Sequence, residues 1–259
     1  MTPPHLMIYK LPKNKLTHAV VIFDPHFPYE DKRSYNAVLN YIDDTKPDVF
    51  AFGGDGVDLD VISNKAAARH VEGKRLLKDF TYAKDRLREV KSIVPEAFTA
   101  YLEGNHDERS ERYVDDHPEL EGMVEVHNAL DLANTGWHWV PCWRTSELLA
   151  IGKANILHGN YVGVAHARKM VDNYGVNVFY GHTHDRMLYS KVLMGDNSTI
   201  MAQSCGFLGR YDAPYMRGNP TNWQQAFLDL WVEPNGHFYH SVVPIFNNRF
   251  VVNGKLYKG

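Results

Sequence analysis

Five short apolar runs set the terms on which this chain can fold: "AVVIF" (19–23), "DVFAF" (48–52), "AFTAYL" (97–102), "NILHG" (155–159) and "VNVFY" (176–180). Brief runs rich in β-branched and aromatic residues, bounded by Gly, Pro or Asp, read as buried strands. Between them the spacing turns helical. "SYNAVLNYIDDTKP" sets Tyr35, Val38, Leu39 and Ile42 three and four residues apart and halts at Pro47. A longer helix is expected over 63–92, with Leu76, Phe80, Ala83, Leu87 and Val90 as its apolar stripe. Strand, helix, strand in succession implies an α/β core with parallel pairing. After residue 186 the pattern changes to "MLYSKVLM", "STIMAQS", "AFLDLWVEPNGHFYHSVV" and "RFVVNGKLY", strands and hairpins with "PNG" as a turn. With no internal repeat, low-complexity tract or long linker, the expectation is a single domain over 1–259 with a β-rich part at 187–259.

Composition excludes several classes. Of the 259 residues 44% are hydrophobic, ample for a core, and the net charge of −3 gives no chain-wide field for nucleic acid or anionic membrane. Cys142 and Cys205 are too few for a disulfide framework and lack CxxC spacing, so a metal would have to use His, Asp and Asn. The N-terminal "MTPPHLMIYKLPKNK" lacks the apolar centre of a signal peptide, and no run approaches the roughly 18 apolar residues of a membrane span. A soluble cytoplasmic protein with no membrane partner is expected.

Each run ends in similar punctuation. Asp24-Pro25-His26 follows the first, Gly53-Gly54-Asp55 the second, Gly104-Asn105-His106-Asp107 the third, His158-Gly159 closes the fourth, and Gly181-His182-Thr183-His184 follows the fifth. The carboxyl ends of strands in an open α/β sheet are where ligand crevices form, so one site can collect all five. If the extended backbone continues through Thr183, His182 and His184 project to the same side. Carboxylate and amide oxygens with imidazole nitrogens suit Mn, Fe or Zn. Carboxylates crowded into one crevice without a cation lose hydration at a cost of several kcal/mol per ion.

The order D-x-H, G-D-x-x-D, G-N-H-D, H, G-H-x-H over residues 24–184 resembles the calcineurin-like metallophosphoesterase family. That resemblance implies an α/β/β/α sandwich of two mixed sheets flanked by helices. It implies two divalent ions drawn from Mn, Fe, Zn, Ni or Co, with Mn expected in vitro. Asp24, His26 and His184 would hold one ion, Asn105, His158 and His182 the other, and Asp55 would bridge them. His106 resembles the family's catalytic histidine, and Asp107 is placed to orient its ring. The implied reaction is hydrolysis of a phosphate ester by in-line attack of a metal-bridging hydroxide. "NWQQAF" (222–227) is similar to members of the family from phages and prophages, which would place the protein in the cytoplasm of the host cell.

Other residues carry weaker signals. Asp58, the trailing acid of G-D-x-x-D, is either a support for the site or a turn residue. Arg109 is either a phosphate contact or an exposed helix arginine, and His166 reads as structural. Arg210 and Tyr211, with Tyr215 and Arg217, lie in a Gly- and aromatic-rich stretch (204–227) that can form a substrate loop or a packed connection. Segment 65–91 carries nine Lys and Arg against four Asp and Glu, either a phosphate-backbone surface or a solvated helix face. The expected substrates lean to phosphodiesters, DNA and RNA included. The alternatives are a phosphatase of proteins, nucleotides or small metabolites, and a non-catalytic scaffold. Oligomeric state is not legible.

Overall fold

The protein is described from a computed structural model at residues 5–63, 73–195, 198–213 and 221–259. In chain order the strands of its first half are β1 (Leu6–Tyr9), β2 (Thr17–Ile22), β3 (Val49–Phe52), β4 (Phe98–Leu102), β5 (Trp137–Val140), β6 (Leu148–Ile151) and β7 (Ala154–Ile156). Those that follow are β8 (Val178–Tyr180), β9 (Leu188–Val192), β10 (Thr199–Ser204), β11 (Ala226–Val232), β12 (Phe238–Pro244), β13 (Arg249–Val252) and β14 (Lys255–Lys258). Two mixed six-stranded sheets result, ordered β12-β11-β2-β3-β4-β5 and β1-β6-β7-β8-β10-β9, with β13 and β14 a separate hairpin. In the first, β2 to β5 run parallel and β11 and β12 antiparallel. The five expected runs fall on β2, β3, β4, β7 and β8, and "PNG" lies in the connection from β11 to β12. Strands β1, β5 and β6 were not expected.

Every residue of β2 is buried because its two faces serve two layers. Val20 and Ile22 join Phe50 and Phe52 on the side covered by helices, whereas Ala19 and Val21 join Ala51, Ala100 and Leu102 against Ile156, Phe179 and Ala202 of the second sheet. Period 2 along the strand thus builds both halves of the core.

On the outer face of the first sheet lie α1 (Lys32–Thr45) and α2 (Leu76–Ile93). Asp31 caps α1 by accepting from the Arg33 and Ser34 amides at 3.1 and 3.0 Å, and Lys46, left-handed ahead of Pro47, closes it. Helix α2 buries Phe80, Ala83, Leu87 and Val90, the expected stripe. Its start differs from expectation: Ser63 and Arg75 are extended and Gly73 is left-handed, while 64–72 lie outside the described residues. The shorter helices are α3 (Glu108–Asp116), α4 (Val126–Ala129) and α5 (Cys142–Thr145), followed by α6 (His166–Tyr174), which packs on β8, β9 and β10. The layers are therefore helix, sheet, sheet, helix. Among the described residues no helix is long and apolar enough to cross a membrane.

Candidate metal centre

The loops after β2, β3, β4, β7 and β8 meet at one rim of the two sheets. They are tied to each other by backbone bonds: Asp24 N–H donates to Gly54 C=O at 3.2 Å, His26 N–H to Asp55 C=O at 3.0 Å, and Gly181 N–H to His158 C=O at 2.9 Å. Asp24, His26, Asp55, His182 and His184 all have φ between 49° and 67°. Left-handed backbone costs a non-glycine residue about 1–2 kcal/mol, and its gathering at one place marks a functional site. The extended continuation expected through Thr183 does not form; β8 ends at Tyr180, and two left-handed turns aim the imidazoles instead. Gly181 has no alternative here, because a Cβ would collide with the Asp24 carboxylate.

The side chains gather into two adjoining sets. In the first, His184 Nε2 stands 3.2 Å from Asp24 Oδ1 and 3.1 Å from His26 Nε2. In the second, Asn105 Oδ1 lies 3.0 Å from His158 Nε2 and 2.7 Å from His182 Nδ1. Asp55 stands between, its Oδ2 3.4 Å from His158 Nε2 and 3.8 Å from His26 Nε2. Asp24–His26–His184, His26–Asp55–His106 and Asp24–Asp55–His158 each offer ligand atoms within 4.8 Å of one another. The two sets adjoin closely enough that Asp24 and Asp55 also share a triad with His158.

Charge follows from burial. Desolvation would raise the carboxyls of Asp24 and Asp55, yet the surrounding imidazoles hold both below their ordinary value. Burial would lower His158, and the Asp55 and Asp24 carboxylates outweigh it and push it up to about 9. His182 is driven the other way, to about 4, by burial and then by charged His158. Two buried carboxylates ringed by imidazoles form a donor set that a cation can join. Hard oxygens and imidazole nitrogens at this spacing fit divalent ions.

His106 borders both sets, its amide donating to Asp55 Oδ1 at 2.7 Å. Its Nδ1 meets Asp58 Oδ1 at 2.9 Å, and the same oxygen takes His26 Nδ1 at 3.1 Å, so one carboxylate turns the Nε2 of both rings inward. The orienting acid is Asp58, which corrects the expectation for Asp107. Asp107 Oδ atoms instead accept from the amides of Gly104 (2.9 Å), Val57 (3.1 Å) and Gly56 (3.3 Å) and from the Tyr101 hydroxyl (2.8 Å), welding the loops after β3 and β4. Arg109 is no exposed helix arginine: Nη2 donates to His106 Nε2 at 2.9 Å and Nη1 to Asp58 C=O at 2.7 Å.

Sequence reasoning missed Trp143 and Asp185, and it read His166 as structural without its partners. Trp143 on α5 sets its ring 5.3 Å from that of His182 and 5.8 Å from that of His158. His166 on α6 is buried, its Nδ1 2.6 Å from the Tyr180 hydroxyl and its Nε2 3.1 Å from Asp185 Oδ2. Asp185 in turn accepts from the hydroxyls of Thr183 and Ser204 at 2.7 and 2.8 Å, pinning the far end of the histidine loop. Arg210 and Tyr211 are not brought to the donors: Arg210 pairs with Asp212 at 2.9 Å, and Tyr211 packs edge-on against Phe207, which in turn stacks on His184. Tyr215 and Arg217, like Lys65 and Arg69, lie outside the described residues. Much of the remaining basic segment is paired within the chain, Lys74 with Asp60, Arg86 with Glu89 and Arg88 with Asp85.

No protein-family model matches the chain. Solved structures give loose likenesses: Vps29 of Chaetomium thermophilum (TM-score 0.45, 12% identity, 94% of this chain and 97% of that one) and the phosphoesterase YfcE of E. coli (0.40, 15%, 87% and 99%). Among proteins of known sequence, the Gene 54 protein of Mycobacterium phage D29 is 29% identical over 257 residues, 92% of this chain and 98% of its own. That of Mycobacterium phage L5 is 30% identical over the same span and the same shares. At that identity and coverage, the chain belongs to the family of the mycobacteriophage Gene 54 proteins.

Proposed function

We propose that the protein is a binuclear metal-dependent phosphoesterase of the calcineurin-like type, phage-encoded, acting on phosphodiesters in the cytoplasm of the host cell. The observation that carries this reading is the convergence of seven oxygen and nitrogen donors from five loops on one rim, with an oriented imidazole beside them. The order of the sequence motifs supports the calcineurin-like assignment, and the kinship with phage proteins supports the origin. Asp24, His26 and His184 would hold one ion, Asn105, His158 and His182 a second, with Asp55 shared. Bound divalent ions supply acidification of a water and neutralisation of charge on the phosphoryl oxygens.

The chain's own residues supply the rest. Asp58 fixes His106 with Nδ1–H as donor, which leaves Nε2 to exchange a proton with the departing alkoxide. Arg109, already on that nitrogen, offers a guanidinium to a phosphate oxygen when a substrate separates the two. No residue need become phosphorylated, and positioning with charge neutralisation meets most of the demand of phosphoryl transfer.

The test is a hydrolysis panel on protein stripped and reloaded with Mn, Zn, Ni, Co, Fe or Mg, with p-nitrophenyl phosphate and its bis ester as substrates. The loaded protein is expected to cleave the bis ester, and His106→Ala to lower kcat by about 10²–10⁴-fold at unchanged metal content. Preference for the mono ester would turn the reading to a phosphatase. Two bound ions with no hydrolysis of any ester would make the chain a scaffold.

A further inference from the structure

A cavity of about 500 Å³ opens beside the metal donors, and the motifs do not account for it. Asn105 and His182 form its inner end. Helix α3 makes one wall: Arg109, Arg112 and Tyr113 sit at i, i+3 and i+4, the spacing that lines one helix face. Trp143 faces them from α5, half-buried, its ring tilted 46° to that of His182, and Ile62 adds an apolar edge. Tyr113 is itself stacked on His117 at 4.2 Å, which holds its ring in place.

We infer that this cavity is a nucleoside subsite, in which a base stacks on Trp143 while the phosphate it carries lies against the metal donors. The inference rests on the phosphoesterase reading, which puts the scissile phosphate at Asn105 and His182 and so puts one of its ester groups in the cavity. The wall chemistry then selects that group. An indole and a phenol offer flat faces, on which any base stacks regardless of sequence. Around them stand the Arg112 guanidinium, joined to Glu108 at 2.5 Å, and the Asp116 carboxylate, donors and acceptors for the polar edge of a heterocycle. A saturated alkyl group would desolvate these charges without replacing their hydrogen bonds. An acidic phosphopeptide would meet Glu108 and Asp116. The volume lies within the roughly 300–1,000 Å³ usual for ligand pockets.

The discriminating substrates are thymidine 5′-(p-nitrophenyl phosphate) and methyl p-nitrophenyl phosphate, which share a leaving group and differ in the nucleoside. Manganese-loaded protein is expected to favour the first by about 10-fold or more in kcat/KM. Trp143→Leu should bring that ratio toward one, and Trp143→Phe, which keeps an aromatic face, should restore most of it; metal content is measured in each variant. A ratio near one in the wild type overturns the subsite. A second measurement needs no turnover: saturable quenching of tryptophan fluorescence by a nucleoside 5′-methylphosphonate, present in the wild type and lost in Trp143→Leu. Quenching without hydrolysis of either ester would uphold the subsite and sink the phosphoesterase reading. Hydrolysis without preference or quenching would do the reverse.

Discussion

Asp58 and Asp107, the trailing acids of two motifs on neighbouring loops, divide into different tasks. Asp58 gives one oxygen to two imidazoles, so its removal frees both rings to turn. Asp58→Ala is expected to lower activity or metal affinity by about 10–100-fold. The sign that it acts through His106 is loss of that ring's Nδ1–H tautomer in ¹⁵N spectra; an unchanged tautomer would reduce Asp58 to packing. Asp107 is a matter of stability. Asp107→Ala leaves three buried amides and the Tyr101 hydroxyl without their acceptor, a loss of about 3 kcal/mol or more in urea unfolding. The candidate donors are legible in the sequence because each stands in a short motif at a strand end. Asp107 is not legible in the same way: adjacency to His106 in sequence is not contact, because the chain turns the two side chains apart ahead of α3. The contact that matters, Asp58 to His106, spans 48 residues and has no periodic signature.

At the scale of elements, strands and helices with strong periodicity were legible: β2, β3, β4, α1 and the stripe of α2. Short edge pieces were not. β1 alternates exposed and half-buried residues over four positions, and β6 is "LLAI", a run too short for periodicity to separate strand from helix. Helix α6 carries a role that its sequence hides. His166 joins it to β8 through Tyr180 and to the histidine loop through Asp185. His166→Ala should retain the fold and lower metal affinity about 10-fold or more, read by competition with a chelator. Wild-type affinity in the variant would leave His166 as a core residue only. Helix α2 carries a separate liability in Asp79, which burial, then the Asp60 charge, raises to about 6. The folded state therefore binds the extra proton, and this group's contribution to stability falls as pH rises from about 4 to about 6 and is flat above. Asp79→Asn should gain about 1–2 kcal/mol over the wild type at pH 7, after allowance for solvent screening, and nothing at pH 4. An equal gain at both pH values would show that the charge is irrelevant.

For the whole molecule, the decisive fact is that neither sheet owns the site. The first sheet contributes Asp24, His26, Asp55 and Asn105 from the loops after β2, β3 and β4, and the second contributes His158, His182 and His184 from those after β7 and β8. Five of these residues hold left-handed backbone, a combined strain of about 5–10 kcal/mol that the loops carry whether or not a cation is present. A ligand that binds the folded arrangement alone stabilises it by mass action, about 2.7 kcal/mol at a hundred times its dissociation constant. For a chain of this size that is a rise in Tm of roughly 5–10 °C on adding manganese to stripped protein. Any ligand would raise Tm, so the location of the effect is what tests the architecture. Ions held by both sheets must slow amide exchange together at residues 24–27, 54–57 and 104–107 of the first and at 158–159 and 181–185 of the second. Asp55→Asn, which weakens the one donor shared by both sets, should diminish protection on both sides at once. Protection confined to one sheet would mean that its loops bind alone and that the other's histidines are bystanders.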